Sequence, residues 1–248
     1  MTTPSGTISF QSIENEFGGS HPITMSEYYG KAVGIPTSGT ISMSQFQNKT
    51  AFSAFSNTFT TAGSGSVTIP YGASTVTLSI VGAGGPSGAA ATYSNIDKHT
   101  SGGGGGGGGY IHWTISVAGY GGNTMSYVVG SGAAYGAPVR DSSVTWLSIS
   151  PTAFGGGAGT SAAGSYANEN PGVGGAGGGT GGNGLSDPID RYNGTDGSNG
   201  DTNGGPGPGG YSGGDPGAVG AGLGGTAPGA YEGGSAPGAD GYVEFSWA

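Results

Sequence analysis

Apolar residues recur at every second position in several short stretches of this chain, and that period predicts β-strands. From Ser74 to Val81, Val76, Leu78 and Ile80 face one way and Thr75, Thr77 and Ser79 the other. Ile111, Trp113, Ile115 and Val117 share a face in the stretch from Tyr110 to Val117. Met125, Tyr127 and Val129 mark a third strand, and Val144 with Trp146 and Ile149 a fourth. From Gly241 to Trp247, Val243, Phe245 and Trp247 oppose Tyr242, Glu244 and Ser246. Phe52 to Thr60 and Val67 to Ile69 are weaker candidates. Short, half-buried strands of this kind predict a β-sandwich.

The first 50 residues follow another pattern, which repeats. Ile8-Ser9-Phe10-Gln11-Ser12-Ile13, Ile23-Thr24-Met25-Ser26-Glu27-Tyr28 and Ile41-Ser42-Met43-Ser44-Gln45-Phe46 share one order of apolar and polar positions. Thr24 with Glu27, and Ser42 with Gln45, have capping-box spacing, in which side chains satisfy the free N–H groups of a first helical turn. A short helix is therefore expected in each copy, with the preceding Ile packing back onto it. About 50 such residues make a small core, so this module is expected to bury itself against the rest of the chain, its own copies or a partner. Ile8, Phe10, Ile13, Ile23, Met25, Tyr28, Ile41, Met43 and Phe46 are the candidate docking residues.

Composition changes the picture between the strands. The chain has 61 Gly and 14 Pro in 248 residues, and about 90 glycine-rich residues separate the last two framework strands. Collagen is excluded, because the Gly register breaks and Pro is sparse. Gly nevertheless falls at every third position from Gly172 to Gly184, from Gly194 to Gly200 and from Gly204 to Gly213. Three residues per turn is the period of the polyproline II helix, and a bare face lets such helices pack backbone to backbone. The eight consecutive glycines 102–109 are expected to form another such helix, leading into the Tyr110 strand. The expected fold is mainly β: a β-sandwich framework (residues 51–248) with an inserted glycine-rich polyproline II helix bundle, preceded by a small N-terminal module of short helices (residues 1–50).

Charge narrows the partners. Five Lys+Arg against 14 Asp+Glu give a net charge of −9, which disfavours nucleic acid and anionic membranes. There is no Cys, and no apolar run long enough to span a membrane. Met1-Thr2-Thr3-Pro4-Ser5 has neither a basic nor an apolar leader region, so synthesis in a cytoplasm without a secretory signal is expected.

At Thr58-Phe59-Thr60-Thr61, Val67-Thr68-Ile69-Pro70, Ile80-Val81-Gly82-Ala83-Gly84-Gly85, Thr114-Ile115-Ser116-Val117, Tyr127-Val128-Val129-Gly130 and Gly241-Tyr242-Val243-Glu244-Phe245, the chain resembles glycine-rich domains of bacteriophage tail-fibre and other tail proteins. The repeated Ser-Gly-Thr-Ile-Ser segments are similar to modules of phage virion proteins. The resemblance covers about three quarters of the chain. It implies a virion component at the cell-facing end of the tail, a host-receptor-binding adhesin. Its implied partners are other tail or baseplate proteins, a host glycan or outer-membrane protein, and copies of itself, a trimer being favoured. The rival from another class is a purely structural virion protein, and a third is a hydrolytic tailspike.

Catalytic signals are weak. Gly210-Tyr211-Ser212-Gly213-Gly214 fits a serine elbow without the strand and helix that motif requires. His21, His99 and His112 show no metal spacing, and His112 reads as a surface residue on the polar face of its strand. Asn199 to Asn203 partly matches a calcium loop, but Gly210 stands where the closing Glu belongs. No catalytic residue, cofactor or metal is therefore expected. Three islands interrupt the glycine: Tyr93, Asn95, Asp97 and His99 in the first, Tyr166 and Asn168 in the second, Asp190, Arg191 and Tyr192 in the third. Aromatic faces beside amides and carboxylates suit recognition of sugars or proteins, so these are the candidate receptor-binding residues. The plainer reading, of equal weight, is turns between helices.

Overall fold

The computed structural model describes residues 2–90, 101–132, 134, 141–165, 168–170, 180–181, 189–199 and 235–248. Each alternating stretch of the sequence forms a strand. These are β1 (Phe55–Phe59), β2 (Gly63–Thr68), β3 (Thr75–Val81), β4 (Tyr110–Ser116), β5 (Thr124–Val129) and β6 (Ser142–Thr145). Short strands β7 (Thr152–Ala153), β8 (Ala163–Ser165), β9 (Asn168–Asn170), β10 (Thr180–Gly181) and β11 (Ile189–Tyr192) follow, and β12 (Tyr242–Trp247) closes the chain. The fold is mainly β. One five-stranded antiparallel sheet has the order β1-β12-β3-β4-β11 and the other β10-β7-β6-β5-β2, while β8 and β9 pair separately.

One apolar core joins the two sheets. Val76, Leu78, Ile80, Ile111, Ile115, Val243, Phe245 and Trp247 of the first meet Met125, Val129, Val144, Trp146 and Ala153 of the second. Phe245 packs parallel to Trp247 at 5.8 Å. The Trp247 indole N–H is satisfied by Asn57 Oδ1 at 2.9 Å, so a large ring is buried without an orphaned donor. The strand expected to reach Ile149 stops at Thr145. Leu147 takes φ 50°, and Trp146 meets Ile149 through an isolated bridge.

Beyond one end of the sheets the chain continues in segments joined mainly backbone to backbone. Residues 82–89 run on from β3 and 102–109 run back into β4. Residues 154–162 continue from β7, 194–198 from β11, and 236–241 lead into β12. Hydrogen bonds between them recur at every third residue. Gly82, Gly85 and Gly88 donate to the carbonyls of Gly109, Gly106 and Gly103 at 2.8–2.9 Å. Gly103, Gly106 and Gly109 donate to Thr160, Gly157 and Phe154, and Gly156, Gly159 and Ala162 to Ala83, Pro86 and Ala89. Gly104 and Gly107 donate to Ser198 and Thr195, and Gly84 and Ser87 to Ala239 and Ala236. Pro86, which has no N–H, falls on a position whose carbonyl accepts from Gly159.

The glycines at the third positions are bare for a steric reason. A Cβ on Gly85 would stand 2.0 Å from Gly157 O, one on Gly105 2.0 Å from Gly85 O, and one on Gly156 2.0 Å from Gly106 O. These three contacts close a cycle among segments 82–89, 154–162 and 102–109. Segment 102–109 also bonds to 194–198, so it meets three neighbours, and every one of its eight residues is buried Gly. The expected period of three is thus present at Gly194 and Gly197. The runs 172–179, 182–184 and 204–213 lie outside the described residues.

The N-terminal repeats form one α-helix, Phe10–Phe17, and two single 3₁₀ turns, Met25–Tyr28 and Met43–Phe46. Ser9 and Ser12 exchange caps at 3.0 and 3.1 Å, Thr24 N–H donates to Glu27 Oε1 at 3.0 Å, and Ser42 N–H to Gln45 Oε1 at 2.7 Å. The module meets the end of the sheets opposite the glycine segments. Gly72, in the turn before β3 with φ +88°, lies so close to Lys31 O that a Cβ there would come within 2.8 Å. Ala51 N–H donates to Glu16 Oε1 at 2.7 Å. The order along the molecule is therefore repeat module, sheets, glycine segments.

Candidate functional site

The glycine segments deliver several chain connections to one end, the end remote from the sheets. Residue 90 leaves and residue 101 returns there, since Gly88 bonds to Gly103. Segment 154–162 reaches the same end, because Ala162 bonds to Ala89, and β8 and β9 follow it directly. Segment 194–198 runs toward that end, and 236–241 runs back from it. Described residues that flank two of the three islands lie there. Asn168 lies in β9, paired with Ser165, and Tyr93, Asn95, Asp97, His99 and Tyr166 lie outside the described residues.

The third island lies elsewhere. Residues 189–192 are β11, an edge strand beside β4, with Asp190 opposite His112, Arg191 opposite Ile111 and Tyr192 opposite Tyr110. Tyr192 is 51% exposed and stacks on Tyr110 at 5.9 Å. The register carries this row across the sheet: Asp190, His112, Ser79, Glu244 and Thr58 occupy successive strands. His112 Nδ1 lies 3.0 Å from Tyr110 Oη and 3.2 Å from Ser79 Oγ, so His112 is a half-buried, hydrogen-bonded residue and not a plain surface one. Tyr242 Oη donates to Glu244 Oε2 at 2.8 Å. Burial, reinforced by this bond, pushes the Tyr242 hydroxyl up to about 12. Sequence reading assigned Ser79, His112 and Glu244 to polar faces separately. Their meeting depends on strand order, which alternation does not encode.

Ser79, His112 and Asp190 are the residue types of a nucleophilic relay, but a relay needs the imidazole bonded to Ser through one nitrogen and to Asp through the other. Here both hydroxyls share Nδ1, and no described hydrogen bond joins Asp190 to the ring. The row offers donors and acceptors to a bound molecule. Among the described residues no group of three His, Asp or Glu could hold a metal ion, and no helix is long and apolar enough to cross a membrane. Of the calcium-loop stretch only Asn199 is described, and the serine-elbow stretch lies outside the described residues.

The candidate docking residues converge on a core of their own. Ile13, Tyr28 and Phe46 are fully buried with Ala32 and Ile35; Ile8, Ile23, Met25, Ile41 and Met43 pack around them. Phe17, Tyr28 and Phe46 meet edge to face at 5.7–6.2 Å. Phe10 is 49% exposed and remains available to a partner, as does Val33. Thr3 N–H donates to Lys49 O at 2.9 Å and ties the two ends of the module together.

The chain matches no protein-family model, and comparison with curated proteins finds no match.

Proposed function

We propose that the chain is a bacteriophage tail-fibre or tail-tip protein that docks through its N-terminal module and contacts the host through its glycine-rich end. The carrying observation is the axial order: a repeat module at one end, and at the other the described residues that flank the first two islands. On this reading the paired sheets are a β-sandwich, and the glycine segments are polyproline II helices. The three-residue hydrogen-bond period and the bare third positions support that assignment, because this helix has three residues per turn and no internal hydrogen bonds. At ~3.1 Å per residue, segment 102–109 extends about 20 Å beyond the sheets. A bundle of this kind acts as a stiff stalk that carries its end loops away from the particle.

In this proposal Tyr93, Asn95, Asp97, His99, Tyr166 and Asn168 contact a host glycan or outer-membrane protein at the stalk end. Asp190, Arg191 and Tyr192 form a separate lateral patch. Phe10 and Val33, the exposed large apolar residues of the module, face other tail proteins or further copies of this chain. The test has two arms. Labelled, purified chain is incubated with a panel of bacterial strains, and phage adsorption is measured in its presence. Antibody to the chain is used to decorate phage particles. Saturable cell binding that blocks adsorption is the expected result. Tail decoration without cell binding leaves the purely structural virion protein, and no decoration of any particle overturns the virion reading itself.

A further inference from the structure

Where β1 leaves the first sheet and β2 enters the second, the chain turns a corner at residues 60–62 and leaves a notch of about 330 Å³ between the two edge strands. Thr58, Thr60, Thr61 and Ser64 line it, with Phe59 and Tyr127 at its apolar side. Phe59 stacks on Tyr127 at 4.1 Å, and both rings meet Phe245 edge to face, so the aromatic wall is anchored in the core. Tyr127 is held across its neighbour: opposite it on β2 stands Gly65, where a Cβ would come within 2.6 Å of the Tyr127 hydroxyl. The corner is pinned as well. Asp240 accepts from Ala62 N–H at 3.1 Å through one oxygen and from Gly132 N–H at 2.8 Å through the other.

The chemistry of the lining selects the ligand. None of the lining side chains carries a charge. On the sheet faces, hydroxyls satisfy one another across strands, as Ser56 does with Ser246 at 2.9 Å and Thr77 with Thr114 at 2.8 Å. In the notch, the hydroxyls of Thr60, Thr61, Ser64 and Tyr127 have no partner among the described residues. A pre-formed concave site with rotatable hydroxyls, an aromatic wall and no ion suits a molecule that presents both donors and acceptors and carries no charge. The chain's net charge of −9 disfavours anions further.

We infer that this notch is a binding site for one neutral sugar ring, held by the Thr60, Thr61, Ser64 and Tyr127 hydroxyls against the Phe59–Tyr127 wall. It stands on the fold alone and does not depend on the virion reading, because it lies at the β1 and β2 edges, whereas the Asp190–Tyr192 strand lies at the opposite edge of the first sheet. Saturation-transfer NMR of the full chain with methyl pyranosides of glucose, galactose, mannose and N-acetylglucosamine tests it, with methyl glucuronide as the anionic probe. At least one neutral glycoside should receive saturation and the glucuronide should not. Tyr127→Phe and the pair Thr60→Val with Thr61→Val should each weaken binding by roughly tenfold, the expected loss of about one or two hydrogen bonds. Thermal melts of both variants check that the corner still folds. Absence of transfer from every neutral glycoside, equal transfer from the glucuronide, or unchanged affinity in the folded variants would overturn the inference.

Discussion

The two halves of the body hold together by opposite means. Between the sheets, stability comes from side chains: Trp247, Phe245, Leu78, Ile80 and Met125 lose all or nearly all of their exposed surface. Each buried large apolar side chain contributes about 1.5–3 kcal/mol by leaving water. In the glycine segments almost no side-chain area is available, and residues 102–109 are buried without any. There the backbone amides and carbonyls bond between segments, at roughly 0.5–1.5 kcal/mol each. Ordering Gly costs about 0.5–1 kcal/mol more than ordering Ala, a sum of similar size. The comparison teaches where each region tolerates change. A side-chain core adjusts to lost volume, whereas a backbone-packed core has no room for one added methyl.

The sharpest contrast is the largest predicted effect. Gly105→Ala places a methyl 2.0 Å from Gly85 O and should cost ~3 kcal/mol or more, seen as a large fall in the melting temperature of the body. Gly6→Ala, with nothing within 4 Å, should stay within about 0.5 kcal/mol. Equal effects at the two sites would break the comparison. Next comes loss of volume in the side-chain cores. Phe245→Ala should destabilise the body by ~3–5 kcal/mol in chemical denaturation. Phe46→Ala should remove the ordered NMR signals of residues 2–50 while those of β3 and β12 stay in place, because the repeat module has its own core.

Two smaller effects follow from titration. The Tyr242 hydroxyl is raised from 10.0 to about 12, chiefly by burial and then by its bond to Glu244. The folded state therefore favours the neutral phenol, and its contribution is full below pH 10 and lost as pH rises through 10 to about 12. Melting temperatures over that range should fall less in Tyr242→Phe than in the parent chain. The Glu27 carboxylate is held below its ordinary 4.5 by the backbone N–H groups of Thr24 and Ser20. Its contribution is present above pH 4.5 and lost as pH falls through the lowered value. Glu27 is half-buried and its carboxylate meets solvent, so the expected loss is slight, confined to the module and absent in Glu27→Gln.

Strand positions were legible because Val76-Thr77-Leu78-Ser79-Ile80 and Val243-Glu244-Phe245-Ser246-Trp247 alternate cleanly. The caps at Thr24 and Ser42 were legible because a hydroxyl residue and a Glu or Gln three positions later define each of them, whereas the Ser9 cap uses Ser12 in place of the Glu or Gln. The partners of the glycine segments were not. Gly85 bonds to Gly106, and Gly106 to Gly157, without a side chain at any of these positions to mark the pairing. The sequence displayed the period of three at residues 172–184, and the described hydrogen bonds reveal it at 82–88, 102–108 and 156–159, where Ala, Pro and Ser interleave or every residue is Gly. The candidate site divides in the same way. Asp190 and Tyr192 could be picked out by residue type, but their meeting with His112, Ser79 and Tyr110 follows from strand order. The notch at Thr60 and Tyr127 arises only when the edges of two sheets face each other.

Amide hydrogen exchange across the body tests the central claim, that a run of bare glycine is a core and not a linker. The account predicts that Gly85, Gly103, Gly106 and Gly109 are protected to the same degree as Leu78 and Phe245, because each donates to a carbonyl of a neighbouring segment. Exchange of those glycine amides at the rate of an unstructured chain, while Leu78 and Phe245 remain protected, would contradict it.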